Sequence, residues 1–240
     1  MRQPAWQASG PGGPDRKAQF WELAVFLFLI VPSMALSFFA IKQGSLSFVL
    51  TAVVTILRDL ALVSLLLYFI WRNGEPVSAI GWKAGGISRE LALGAALFVP
   101  MFLASSALDG LLHSVGFSAP STPVPAFARE KGAAETLLAA LMVVVVALSE
   151  ETIFRGYLIL RLRSLTSNSV AAVVLSAAIF SLGHGYEGTA GVLTTGFMGA
   201  VFALVYLWRG SLVAPVMMHF LQDFLAIVVV PLLGQPGVFR

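Results

Sequence analysis

The chain has 240 residues, of which 58% are hydrophobic and 11% charged, with a net charge of +3 and a mean hydropathy of +0.88. A water-soluble domain carries about 25% charged residues, so this composition belongs to a membrane protein, and the length suits one polytopic bundle. The small basic excess argues against a nucleic-acid surface, and the lack of cysteine excludes disulfide and thiolate chemistry, leaving His, Asp and Glu as the donors for any metal.

Residues 1–18 are polar, rich in Gly, Pro and Gln, and read as a disordered leader. The apolar run that follows, Phe20 to Ala40, is longer than the roughly 7–15-residue core of a signal peptide and reads as a first membrane helix. A second span runs from about Ser47 to Trp71, interrupted by Arg58 and Asp59. Adjacent on a helix, these two are expected to point apart, each toward another helix or a polar cavity. Residues 72–89 form a polar connection, and a third span runs from Leu91 to about Leu112, with Asp109 and His113 near its end. His113 reads as an interfacial group outside any site. Gly116 to Gly132 is a proline-broken loop.

The fourth helix starts near Ala133 and continues through Glu150 to Arg163. A short polar turn follows, with Ser167 or Asn168 available as N-cap. The fifth helix covers Val170 to about Gly185, the sixth Ala190 to Trp208, and the seventh Leu212 to Leu233 after a break at Arg209-Gly210. The expected fold is all-α: a polytopic bundle of about seven transmembrane helices over residues 19–240. The positive-inside rule then puts the N-terminus in the cytoplasm, with Arg72, Lys83, Arg89, Arg161, Arg163 and Arg209 inside and Lys42, Arg129, Lys131 and Arg240 opposite. The expected location is a bacterial plasma membrane.

The most informative stretch is Ala147-Leu148-Ser149-Glu150-Glu151-Thr152-Ile153-Phe154-Arg155-Gly156, which follows a run of valines and precedes another apolar segment. An ionisable group at bilayer depth costs at least ~2.5–3.5 kcal/mol, so three in one helix demand a reason. Glu151 and Arg155 are spaced to pair on one helix face, and Glu150 must point elsewhere. Two histidines lie downstream: His184 near the end of the fifth helix, and His219 in the seventh, with Asp223 one turn further on the same face. From the turn at Thr166, Glu150 and His184 both stand roughly 24–27 Å away on antiparallel neighbours and so meet at one level. His219 is about 14 Å from its own helix start and reaches that level only if the fourth and fifth helices project beyond the membrane, or if helices tilt. Such a cluster can activate water. Glu150 suits a general base, and the histidines suit either a divalent metal or hydrogen bonds to an oxyanion.

Glu150-Glu151-x-x-x-Arg155, Phe180-x-x-x-His184 and His219-x-x-x-Asp223, in this order, resemble the motifs of the CPBP family, also known as the CAAX protease and bacteriocin-processing or Abi family, which includes the Rce1-type prenyl-protein endopeptidases. The resemblance covers about residues 135–228. It implies an intramembrane endopeptidase acting on a membrane-associated peptide or protein within the lipid bilayer. Glu150 would activate water, Glu151 and Arg155 would brace it, and His184, His219 and Asp223 would complete the site. Eukaryotic prenyl proteases carry Asn where this chain has Asp223; an ionised Asp cannot donate to an oxyanion, which favours orientation of a histidine or metal ligation instead. The resemblance leaves open a zinc enzyme, with His184 and His219 as metal ligands, or a metal-free glutamate protease. The rival readings are a non-catalytic bacteriocin-immunity or membrane-chaperone protein on the same scaffold, and a proton-coupled transporter using Arg58, Asp59 and the Glu/His groups.

Overall fold

The computed structural model describes residues 15–40, 47–118 and 132–233. The N-terminal part of the leader, most of the proline-broken loop, and Lys42, Arg129, Lys131 and Arg240 lie outside them. The described residues form helices α1 (Arg16–Ala40), α2 (Phe48–Arg72), α3 (Ile87–Ser114), α4 (Ala133–Thr166), α5 (Ser169–Leu182), α6 (Gly188–Arg209) and α7 (Val213–Leu233). No strand occurs among them. Five helical segments are long and apolar enough to cross a bilayer: α2, α3, α4, Gly185–Arg209 (which contains α6) and α7. The fifth helix is apolar but has only 14 residues, about 21 Å of rise against a hydrocarbon core of ~30 Å.

The elements follow from local chemistry. Ser47 caps α2 through a bond from the Leu50 amide, and Asn168 caps α5 by accepting from the Val170 and Ala171 amides. Gly210, in the left-handed conformation at φ 60°, closes α6 and turns the chain into α7. The lipid-facing sides carry bare hydrophobics such as Phe28, Leu57, Leu103 and Leu204. The main core joins α1, α2, α4, α5 and α6 through Phe26, Leu66, Ile70, Tyr157, Phe180 and Tyr206. Helices α3 and α7 touch closely at Gly94, where a Cβ would fall 2.6 Å from the Ala214 carbonyl oxygen.

One end of the bundle is tied by charge. Glu22 accepts from Arg72 and Asn73, and the buried Arg161 binds Glu75 at 2.8 Å while lying over the Tyr157 ring. Arg209 binds Glu90 at 2.7 Å on the same side of the connections. At 34 residues, or about 51 Å, α4 is longer than the ~30 Å bilayer core.

Three expectations change. Arg16 and Lys17, read as leader, form the first turn of α1, where Arg16 reaches the Ser164 carbonyl and Ser167 hydroxyl at the α4 end. The fifth helix stops at Leu182 rather than Gly185, so His184 stands on a turn beyond it. Arg58 and Asp59 bind each other, Nη2 to Oδ1 at 2.9 Å, because the long guanidinium stem folds back along the helix to its neighbour. The Cβ directions still diverge, and the Asp59 carboxylate is the buried partner.

Candidate functional site

The site begins with a change of helical register. From Glu151 to Leu158, α4 is a π-helix, and all eight of those residues are buried. A π turn replaces i→i+4 bonds with i→i+5 bonds and shifts side chains relative to a regular α-helix. Its backbone is held from outside: Ser176 on α5 donates to the Phe154 carbonyl at 2.8 Å. Trp82 Nε1 donates to the Thr152 hydroxyl, which in turn donates to the Leu148 carbonyl. Gly156 lets the Val77–Ile80 turn lie against this segment, since a Cβ there would fall 2.8 Å from the Ile80 carbonyl oxygen.

Within the π segment, Glu151 Oε1 accepts from Arg155 Nη1 at 2.9 Å, and both side chains are almost wholly buried. The same oxygen lies 2.8 Å from His219 Nδ1. A carboxylate there makes Nδ1 the protonated nitrogen and turns Nε2 toward the remaining acids. His219 Nε2 stands 3.4 Å from Asp223 Oδ2 and 3.8 Å from Glu150 Oε2. The imidazole stacks on Phe202 with centroids 5.5 Å apart and meets Phe180 edge-on at 5.9 Å. The Arg155 guanidinium carbon lies 4.2 Å from the Phe180 ring centre and 5.1 Å from that of Phe202, a cation–π arrangement that offsets part of its desolvation. Gly199 makes room for it: a Cβ there would approach Phe180 at 3.0 Å and Arg155 Nη2 at 3.1 Å.

Glu150, Glu151, Arg155, His219 and Asp223 are therefore brought together from α4 and α7. His184 is a neighbour rather than a contact. Its Nδ1 lies 3.2 Å from the Phe180 carbonyl, and its ring packs on Phe180 at 4.9 Å. Among the described residues no hydrogen bond or ion pair joins it to Glu150, His219 or Asp223. Phe180 thus links the two histidines by touching both. His113 pairs with Asp109 at 3.2 Å on α3, separate from this cluster.

Sequence reasoning missed one participant, Phe202, and the partners of two others. Glu151, expected to pair with Arg155 and brace Glu150, also holds His219. Phe202 forms one wall of the histidine, and nothing in the pattern of α6 distinguishes it from other core aromatics. Asp59 shares a cavity with Glu150; the signal was present as a charge in mid-span, but its partner was not.

No metal cluster emerges from the donor set. Among the described residues no three His, Asp or Glu side chains are grouped so that they could hold one ion. Nδ1 of each histidine is held, by Glu151 and by the Phe180 carbonyl, which leaves Nε2 as the nitrogen a metal would take. The donors as arranged do not fit a three-ligand zinc site.

These features define a helical, multi-pass membrane protein with a buried carboxylate–histidine centre. Residues 132–225 match the family model described as Rce1-like, type II CAAX prenyl endopeptidase Rce1-like, which shows the likeness seen in the motifs over the stretch that carries the site. No curated protein and no solved structure matches the chain.

Proposed function

We infer that the protein is an intramembrane endopeptidase, hydrolysing a peptide bond in a membrane-associated peptide or protein. The observation that carries this reading is the placement of Glu150. Its side chain is partly exposed, and it faces His219 Nε2 at 3.8 Å, while the adjacent Glu151 holds both Arg155 and His219 through Oε1. One carboxylate is thus free to take a proton, and the other is occupied in fixing the histidine. The match of this segment to a family of prenyl endopeptidases supports the reaction class.

In the proposed reaction Glu150 takes a proton from a water as that water's oxygen attacks the scissile carbonyl carbon. The carbonyl π electrons move to oxygen, and His219, as an imidazolium with Nδ1–H held by Glu151, is positioned to donate Nε2–H to that oxyanion. The C–N bond then breaks, and protonated Glu150 returns its proton to the leaving amine. Glu151 keeps the His219 ring in the orientation that presents Nε2, as carboxylates behind catalytic histidines do elsewhere. Asp223, an acceptor against Nε2, stabilises the charge on the imidazolium. His184, with Nδ1 tied to the Phe180 carbonyl, keeps Nε2 for the substrate or the water. No step passes through a metal.

The same reading places seven helices in a bacterial plasma membrane with the N-terminus cytoplasmic. The charged connections holding Arg72, Arg161 and Arg209 meet at one end of the bundle, which supports that orientation. The test of function is direct. The purified protein in liposomes is offered peptides ending in a cysteine-containing motif, prenylated and unprenylated, and products are read by mass spectrometry in water enriched in ¹⁸O. The expected product carries one ¹⁸O in its new carboxyl group, and none forms with Glu150→Gln.

A further inference from the structure

Glu150, whose Oε2 lies 3.8 Å from His219 Nε2, also lines a cavity of about 30 Å³ between α1, α2 and α4. Its walls are apolar, made by Ile30, Met34, Leu62, Ile153 and Phe154, with Arg58, Asp59 and Glu150 as the polar members. The Asp59 side chain is 2% exposed, and its Oδ1 is held by Arg58 through Nε and Nη2. Among the described residues, its Oδ2 and Glu150 Oε2 have no hydrogen-bond partner although both are buried.

Two ionised carboxylates can only accept hydrogen bonds, so they cannot satisfy each other. A water molecule can donate one hydrogen to each, and a site needs only about 10–15 Å³ of such space to admit one. Burying polar atoms without such a partner is costly, and a bridging water serves nearly as well as a direct bond. We propose that one ordered water bridges Asp59 Oδ2 and Glu150 Oε2, and that Asp59 is thereby a positioning residue for the base. Asp59 does not touch substrate. It fixes the second oxygen of Glu150 so that the first addresses the attacking water, and Arg58 holds Asp59 in turn. The inference rests on the assignment of Glu150 as the base.

The test combines a map with kinetics on the full chain in lipid. An experimental density map at a resolution that shows waters should contain one water within hydrogen-bond distance of both carboxylates. Direct contact between the two oxygens, or an empty apolar gap, overturns the proposal. In turnover, Asp59→Leu should lower kcat by about 10- to 100-fold with KM unchanged, the size expected when a reacting group is misplaced by about 1 Å. Asp59→Asn, which can still bind the water, should stay close to the wild type. Asp59→Leu also strands Arg58, so the Arg58→Leu/Asp59→Leu double variant, which removes the pair cleanly, is the second arm. It should remain as slow as Asp59→Leu. Recovery in the double variant assigns the loss to the stranded arginine and overturns the proposal, as does a wild-type rate in Asp59→Leu. If Glu150→Gln keeps full activity, the assignment of the base itself is wrong. Loss in Glu150→Gln with a wild-type rate in Asp59→Leu removes only the positioning role.

Discussion

Glu151 Oε1 and His219 Nδ1 lie 2.8 Å apart across 68 residues of chain, and the same oxygen holds Arg155 at 2.9 Å. One carboxylate therefore ties the two arms of the site, α4 and α7, and no other residue of the cluster contacts both the arginine and the histidine so closely. Its neighbour Glu150 carries no such structural duty. The two adjacent acids should thus respond differently to the same substitution.

Glu151→Gln should reduce the abundance and thermal stability of the protein. It weakens the bond to His219 and leaves Arg155 buried without a counter-charge, a change that costs on the order of 3–5 kcal/mol when a buried pair is broken. Glu150→Gln should leave both properties near wild type while lowering turnover by about 10²–10⁴-fold, the usual contribution of a general base. Thermal melts in detergent and quantitative blots of membranes measure the first pair of quantities. Equal loss of protein in both variants would assign the two acids a shared structural role.

The histidines should also separate. His219→Ala removes the ring between Phe180 and Phe202 and strands Glu151, so it should lower both stability and turnover. His184→Ala, on a turn and only partly buried, should lower turnover with a much smaller loss of stability. Parallel melts and rate measurements on the two variants check this. A large stability loss in His184→Ala alone would reverse the assignment.

How far could these relations be read in advance? The Glu151–Arg155 and His219–Asp223 pairings were legible because four-residue spacing stacks side chains on one helix face. Counting rise from the Thr166 turn put Glu150 and His184 at one level, but the structure joins them by no direct contact among the described residues. The bond from Glu151 to His219 was not legible, since it depends on the π register of Glu151–Leu158 and on how α7 packs against α4. Hydrophobic periodicity carries no signal for that extra residue per turn. Arg58 and Asp59 misled for a different reason: Cβ directions diverge at adjacent positions, but a four-bond guanidinium stem can fold back. The Glu22–Arg72 and Arg161–Glu75 ties were equally hidden, because they join distant segments whose charges look like ordinary helix flanks.

Glycines at close approaches give a third prediction. Gly199→Ala should destabilise the protein by about 1–3 kcal/mol, because its Cβ presses on Phe180 and the Arg155 guanidinium. Gly110→Ala, where nothing lies within contact of the new methyl, should be neutral or slightly stabilising as a helix interior change. Melting temperatures of the two variants, measured side by side, decide the matter. Indistinguishable values would mean that the Arg155 cage relaxes freely.

Zinc content offers a fourth. The proposed mechanism is metal-free, so protein purified without chelator should show far less than one zinc per chain by elemental analysis and should keep its turnover after treatment with a strong chelator. One zinc per chain, lost together with activity in His219→Ala and restored with added zinc, would instead establish a metalloprotease and require the site to close around the ion.

The central claim is that Glu150 drives peptide-bond hydrolysis in the membrane. Its most direct test is a comparison of membrane proteomes and small peptides from cells expressing the wild type or Glu150→Gln at matched abundance. At least one membrane-associated protein should accumulate uncut in the Glu150→Gln cells, with its cleavage products present only in the wild type. Identical proteomes and peptide pools from the two strains, with both proteins present in the membrane at equal levels, would contradict the account.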